Sequence, residues 1–164
     1  MNFQQLIEDA KKDPSLLSSI DIDALVSNMD VENAPYLLQT QSEIQTQILT
    51  SLVSFYKNDN TLMDVCKKLV GYRYVDELYQ IHRGKHVRWL RYKIGERPLQ
   101  EDAMRLTNGG IVVDIKFGEN GACVLVRVPG AGFFTQYRFD ECLTFQKLTD
   151  EENMILFSNM LNRQ

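Results

Sequence analysis

Thr107-Asn108-Gly109-Gly110-Ile111-Val112-Val113-Asp114-Ile115-Lys116-Phe117-Gly118-Glu119-Asn120-Gly121-Ala122-Cys123-Val124-Leu125-Val126-Arg127-Val128-Pro129 is the stretch on which the fold turns. Glycine pairs punctuate it, and between them side chains alternate with period two. Ile111, Val113, Ile115 and Phe117 take one parity, then Ala122, Val124, Val126 and Val128, which is the pattern of half-buried antiparallel strands joined by tight turns. The alternation continues on both sides. Upstream, His86 to Lys93 is a predicted strand holding the single tryptophan, Trp89. Downstream, Gly130-Ala131-Gly132 turns the chain into Phe133, Thr135, Tyr137 and Phe139, and Cys142 to Leu148 makes a last short strand. So many short strands within some sixty residues leave exposed edges unless the sheet closes, so the expectation is a small SH3-like β-barrel over residues 83–148.

N-terminal to the barrel the apolar period is helical. Phe3, Leu6 and Ile7 mark a first helix ending before Asp13-Pro14, and Asp21 or Asp23 starts a short second one. From Asn33-Ala34-Pro35 the residues Leu37, Gln41, Ile44, Ile48, Leu52 and Phe55 predict one stripe about twenty residues long. Leu62, Val65, Cys66 and Leu69 form another, closed by Gly71. Thr149-Asp150-Glu151-Glu152 is a capping box opening a final helix. The expected class is α+β: a helical region over 1–82, the antiparallel barrel over 83–148, and a C-terminal helix over 149–164 packed on the barrel.

The 164 residues carry 18 Lys and Arg against 22 Asp and Glu, with 44% hydrophobic residues. That composition supports a packed core and excludes a disordered chain. The longest apolar run, Ile48 to Phe55, is broken by Thr50, Ser51 and Ser54 and falls well short of the ~20 residues of a bilayer span, so no membrane insertion is expected. No secretory pattern opens the chain. Cys66, Cys123 and Cys142 are an odd number without a C-x-x-C pair, pointing to free thiols and a reducing, intracellular setting. His82 and His86 are four apart, but Gly84 lies between them and no Glu follows His82, so no metal site is expected. Nor do the few histidines and scattered cysteines assemble a catalytic constellation, so no catalytic residue, cofactor or enzymatic activity is assigned.

Charge is uneven. Residues 72–100 carry seven bases against three acids, the one basic island in an acidic chain. Within it Arg83, Lys85, Arg88, Arg91 and Lys93 interleave with Trp89 and Tyr92, which has the composition of a nucleic-acid contact. Against that stand the net charge of −4 and the parity of a strand, which sends Arg88 one way and Arg91 and Lys93 the other. Phe133, Tyr137 and Phe139 read as barrel core, whereas Phe134 alternates outward. Gly109-Gly110 reads as a hairpin turn. Trp89 and Phe134, flanked by Arg97 in the long Lys93 to Leu106 loop, are the expected partner-binding residues.

The segments His86-Val87-Arg88-Trp89-Leu90, Leu106-Thr107-Asn108-Gly109-Gly110-Ile111-Val112-Val113, Phe133-Phe134-Thr135-Gln136-Tyr137 and Leu143-Thr144-Phe145-Gln146-Lys147-Leu148 resemble a small SH3-like β-barrel module. It is found in uncharacterised proteins of large nucleocytoplasmic DNA viruses. The resemblance covers about 65 residues; the module's tryptophan in the fourth strand is replaced by Thr135. It implies a structural or protein-interaction protein of the virion, such as a minor capsid or assembly component, with other capsid or assembly proteins as partners. The alternative is a nucleic-acid-binding protein using residues 83–93.

Overall fold

The computed structural model describes residues 3–13, 15, 21–27 and 34–163. Among the described residues five α-helices and eight strands run in the order α1 (Phe3–Lys12), α2 (Ile22–Ser27), α3 (Gln41–Val53), α4 (Asp59–Lys68), β1 (Tyr72–Val75), β2 (His86–Arg91), β3 (Lys93–Ile94), β4 (Arg97–Pro98), β5 (Gly110–Gly118), β6 (Gly121–Arg127), β7 (Phe134–Arg138), β8 (Cys142–Lys147) and α5 (Asp150–Asn162). The protein is α+β, and it divides into two units, Met1–Ile44 with Leu148–Gln164, and Gln45–Lys147.

In the first unit, α2 and a 3₁₀ turn at Pro35–Leu38 lie against α5. Ala34, Leu37 and Ile155 form one small core, and Ile44, Leu148 and Leu156 another. The predicted twenty-residue helix is broken. Thr40 caps α3 through a bond from the Glu43 N–H, while the Glu43 carboxylate accepts from the Thr40 N–H, and these reciprocal bonds end the 3₁₀ turn and start a new helix. Thr149 and Glu152 make the expected capping box on α5. Tyr36 donates to the Glu152 carboxylate, and the Asn159 amide donates to the Leu37 and Gln39 carbonyls.

In the second unit the sheet runs β1-β8-β2-β5-β6-β7, all antiparallel, with β3 and β4 a separate hairpin. It does not close into a barrel, which corrects the expected closed form. The reason is β1: residues 72–75, inside the stretch read as helical, pair Tyr72 with Lys147 through Val75 with Thr144 and so occupy the edge of β8 that closure would need. The sheet nevertheless curls strongly. Tyr137 on β7 shares a hydrogen bond of 3.0 Å with Thr144 on β8, although β2, β5 and β6 separate them in strand order.

Both faces of the sheet are covered. On one, Leu90, Leu143 and Phe145 pack with Ile48 and Leu52 of α3, Tyr56, Leu62 and Val65 of α4, and Leu69 just after it. On the other, inside the curl, Val75, Val87, Val112, Val124, Val126, Tyr137 and Cys142 form a second core with Trp89 and Phe139 against it. A bulge between Val112 and Asp114 resets the parity of β5. Val112 and Ile115 therefore face the same core, while Phe117, at the turn end of β5, is 79% exposed. Gly109 and Gly110 are not a hairpin turn. Gly109 has φ 79°, and a Cβ there would overlap the Val87 carbonyl; one on Gly110 would lie within 2.5 Å of the Arg127 carbonyl oxygen. The pair is where three strands come too close for side chains.

Candidate interaction surface

The Pro129-to-Phe133 connection is shaped by Gly130 and Gly132, whose φ values of 78° and 69° suit glycine. It delivers β7 to the rim of the sheet, paired among the described residues with β6 alone. Val128 donates its N–H to the Phe133 carbonyl at 3.1 Å. Because antiparallel pairs alternate between bonded and non-bonded positions, that bond sets the phase of β7. Thr135 and Tyr137 turn their backbone groups toward β6, and Phe134, Gln136 and Arg138 turn theirs away from the sheet. Tyr137 is buried and stacks on Trp89, centroids 4.4 Å apart at 14°. Phe134 is 59% exposed and Phe133 55% exposed. Phe133 was expected in the core, but it lies before the strand begins and escapes the curl.

The other expected partner residues sit elsewhere. Trp89 is half-buried against Tyr137 in the inner core, so it and Phe134 do not form one patch. Arg97 is exposed on the β3–β4 hairpin opposite Ile94, itself 54% exposed. The loop that holds them is anchored: Met104 is buried in the helix-facing core with Leu99 and Leu106 beside it, and the Gly95 N–H donates to Glu141.

Of the five cations at 83–93, four side chains find separate partners. Arg83 pairs with Asp114 at 2.6 Å, and Arg91 with Glu141 at 3.5 Å. Arg88 donates to the Thr107 and Lys68 carbonyls, the second satisfying an orphan carbonyl of the last turn of α4. Lys93 lies 5.8 Å from the Tyr92 ring centroid. Lys85 is half-buried, its backbone N–H on the His82 carbonyl.

Glu141 was missed in the sequence. It is 3% exposed and accepts from the Gly95 N–H and from Arg138. The Gly95 N–H, then Arg138 and Arg91, hold its carboxyl below the usual range in spite of burial. In the sequence Asp140-Glu141 looks like a solvated acidic turn, and nothing local signals otherwise. Burial pushes the Cys142 thiol up to about 11 and raises Cys66 as well, so neither is an activated thiolate at neutral pH. His86, bonded through Nδ1 to the Tyr72 hydroxyl, is lowered by burial, then by Lys147 and Arg88.

What β7 can offer chemically is a row of outward main-chain donors and acceptors beside two exposed phenyl rings. Comparison with known proteins finds no matching family, no matching curated protein and no matching solved structure.

Proposed function

We propose that this is a non-enzymatic protein-interaction protein that docks its partner along β7. The observation that carries the reading is the outer edge of β7, unpaired among the described residues and bordered by Phe133 and Phe134. Main-chain bonds along such an edge supply affinity, and the flanking aromatics supply buried area at little rotamer entropy. The SH3-like reading of the curled sheet is supported by its spatial strand order β8-β2-β5-β6-β7 and by the Tyr137 to Thr144 bond across the curl. The setting, a viral particle or its assembly machinery, rests on the sequence resemblance.

The test compares the immobilised full chain with a Phe133→Ser, Phe134→Ser variant of equal melting temperature. Proteins from the native source retained by the first are expected to be lost by the second. Identical retention overturns the reading. Absence of the chain from purified particles overturns the setting.

A further inference from the structure

We propose that the strand that docks on β7 is β7 of a second copy of this chain, paired antiparallel about a two-fold axis through Gln136. The inference rests on the reading of β7 as a docking edge and adds the identity of the partner.

Three observations favour a second copy. First, the phase is right. Gln136 turns its N–H and C=O away from β6, so in a two-fold pairing it exchanges both bonds with Gln136 of the other copy. The outward N–H of Arg138 then meets the outward carbonyl of Phe134 across the axis, and the same bond recurs by symmetry.

Second, the side chains are self-complementary. Phe134, Gln136 and Arg138 share the face away from Tyr137. The two-fold sets Phe134 opposite Arg138, an aromatic ring against a side chain whose guanidinium is already held by Glu141 and the Asn120 carbonyl, and Gln136 opposite itself, an amide against an amide. The only charge on β7 is Arg138. Placed at the end of the strand, it never faces its own copy.

Third, β7 lacks the devices that keep edges apart. It has no proline, no lysine and no bulge, whereas β5 carries the bulge of this sheet. The opposite edge, β1, is four residues long, and the chain after it folds back to place the Gln80 carbonyl on the Arg73 guanidinium. A pairing of β7 with β1 of the next copy would also generate an open chain, whereas β7 with β7 closes at two. A strand of this length with two phenyl rings makes a small interface, so the association belongs to the micromolar range or weaker.

The full chain, followed by sedimentation equilibrium from about 1 µM to about 1 mM, is expected to go from monomer to dimer and stop there. Gln136→Lys places two ammonium groups across the axis, at an exposed position that leaves the β6 pairing intact. It should weaken the dimer at least tenfold at unchanged melting temperature. Phe134→Glu puts a carboxylate opposite Arg138 and should keep or strengthen it, an outcome that hydrophobic sticking would not give. A chain that stays monomeric throughout, a mass that keeps growing past the dimer, or a dimer indifferent to Gln136→Lys each overturns the self-pairing. A monomeric chain that still loses its retained proteins on the Phe133→Ser, Phe134→Ser change overturns only the second-copy inference, leaving the docking edge itself in place.

Discussion

A carboxylate as buried as Glu141 survives only where its charge is met, and here an amide N–H and two guanidinium groups meet it. Its folded pKa is depressed, so its contribution is present above the ordinary value near 4.5 and is lost as pH falls through the folded value. Glu141→Gln should therefore lower the melting temperature at pH 7, and the gap to the unaltered chain should narrow below about pH 4. Thermal melts of both across pH 3 to 8 check this; a constant gap refutes it. His86 acts in the same direction, at higher pH. Its folded pKa lies under 6.5, so the unfolded chain binds the proton first and stability falls as pH drops below about 6.5, until the folded ring also protonates. His86→Phe should flatten that part of the curve. The two aromatics singled out in the sequence separate at this scale as well. Trp89→Ala removes a ring stacked inside a core and should cost about 3 kcal/mol, while Phe134→Ala, an exposed surface change, should stay within about 0.5 kcal/mol. Chemical denaturation of the two variants distinguishes them. Trp89 misled the sequence reading for a physical reason: with Leu90 inward, parity sends Trp89 outward, but a sheet buried on both faces has no outward parity at its centre. β8 shows the same thing, with Cys142 through Gln146 all buried.

Among the elements, those set by local signals were legible. The strands β2, β5, β6, β7 and β8 and the helices α4 and α5 follow from alternation, caps and glycine punctuation, because each signal acts within a few residues of its effect. What escaped depends on distant partners. β1 is a four-residue strand whose place is decided by β8, some seventy residues on, and no spacing around Tyr72 announces it. With it went barrel closure, since the edge of β8 is not available. The break ahead of α3 was legible in principle, in the Thr40 to Glu43 box, but the longer apolar stripe hid it. The glycines lend themselves to a direct comparison. Gly84 and Gly109 both have left-handed φ, 83° and 79°, yet a Cβ on Gly84 meets nothing within 4 Å and one on Gly109 meets the Val87 carbonyl. Gly84→Ala should cost about 1 kcal/mol from backbone strain alone. Gly109→Ala adds displacement of the β2 backbone and should cost at least about 3 kcal/mol, with amide shifts at Val87. Equal losses at the two sites would show that the close approach of the strands is not what the glycine serves.

At the scale of the molecule, the residues that read as one greasy stripe serve three cores. Leu37 packs with Ile155, Ile44 with Leu148 and Leu156, and Ile48 and Leu52 with Leu90, Leu143 and Phe145 of the sheet. The helix-facing core and the core inside the curl are both made wholly of residues 45–147. A unit that closes its own apolar faces needs nothing further to bury them, and roughly a hundred residues is an ordinary size for a domain. The fragment 45–147 should therefore fold cooperatively, with dispersed amide resonances and a single unfolding transition. Cutting instead at the boundary that charge and period suggest, near residue 83, removes β1, α4 and the second half of α3. That strips the cover from Leu90 and Phe145 and leaves β8 an edge strand with a bare face. The fragment 84–164 should accordingly be aggregated or molten, with apolar-dye binding and collapsed dispersion. Purifying both and recording amide spectra and melts decides it: a well-dispersed 84–164, or an unfolded 45–147, would mean that the helices from α3 onward are not what completes the sheet.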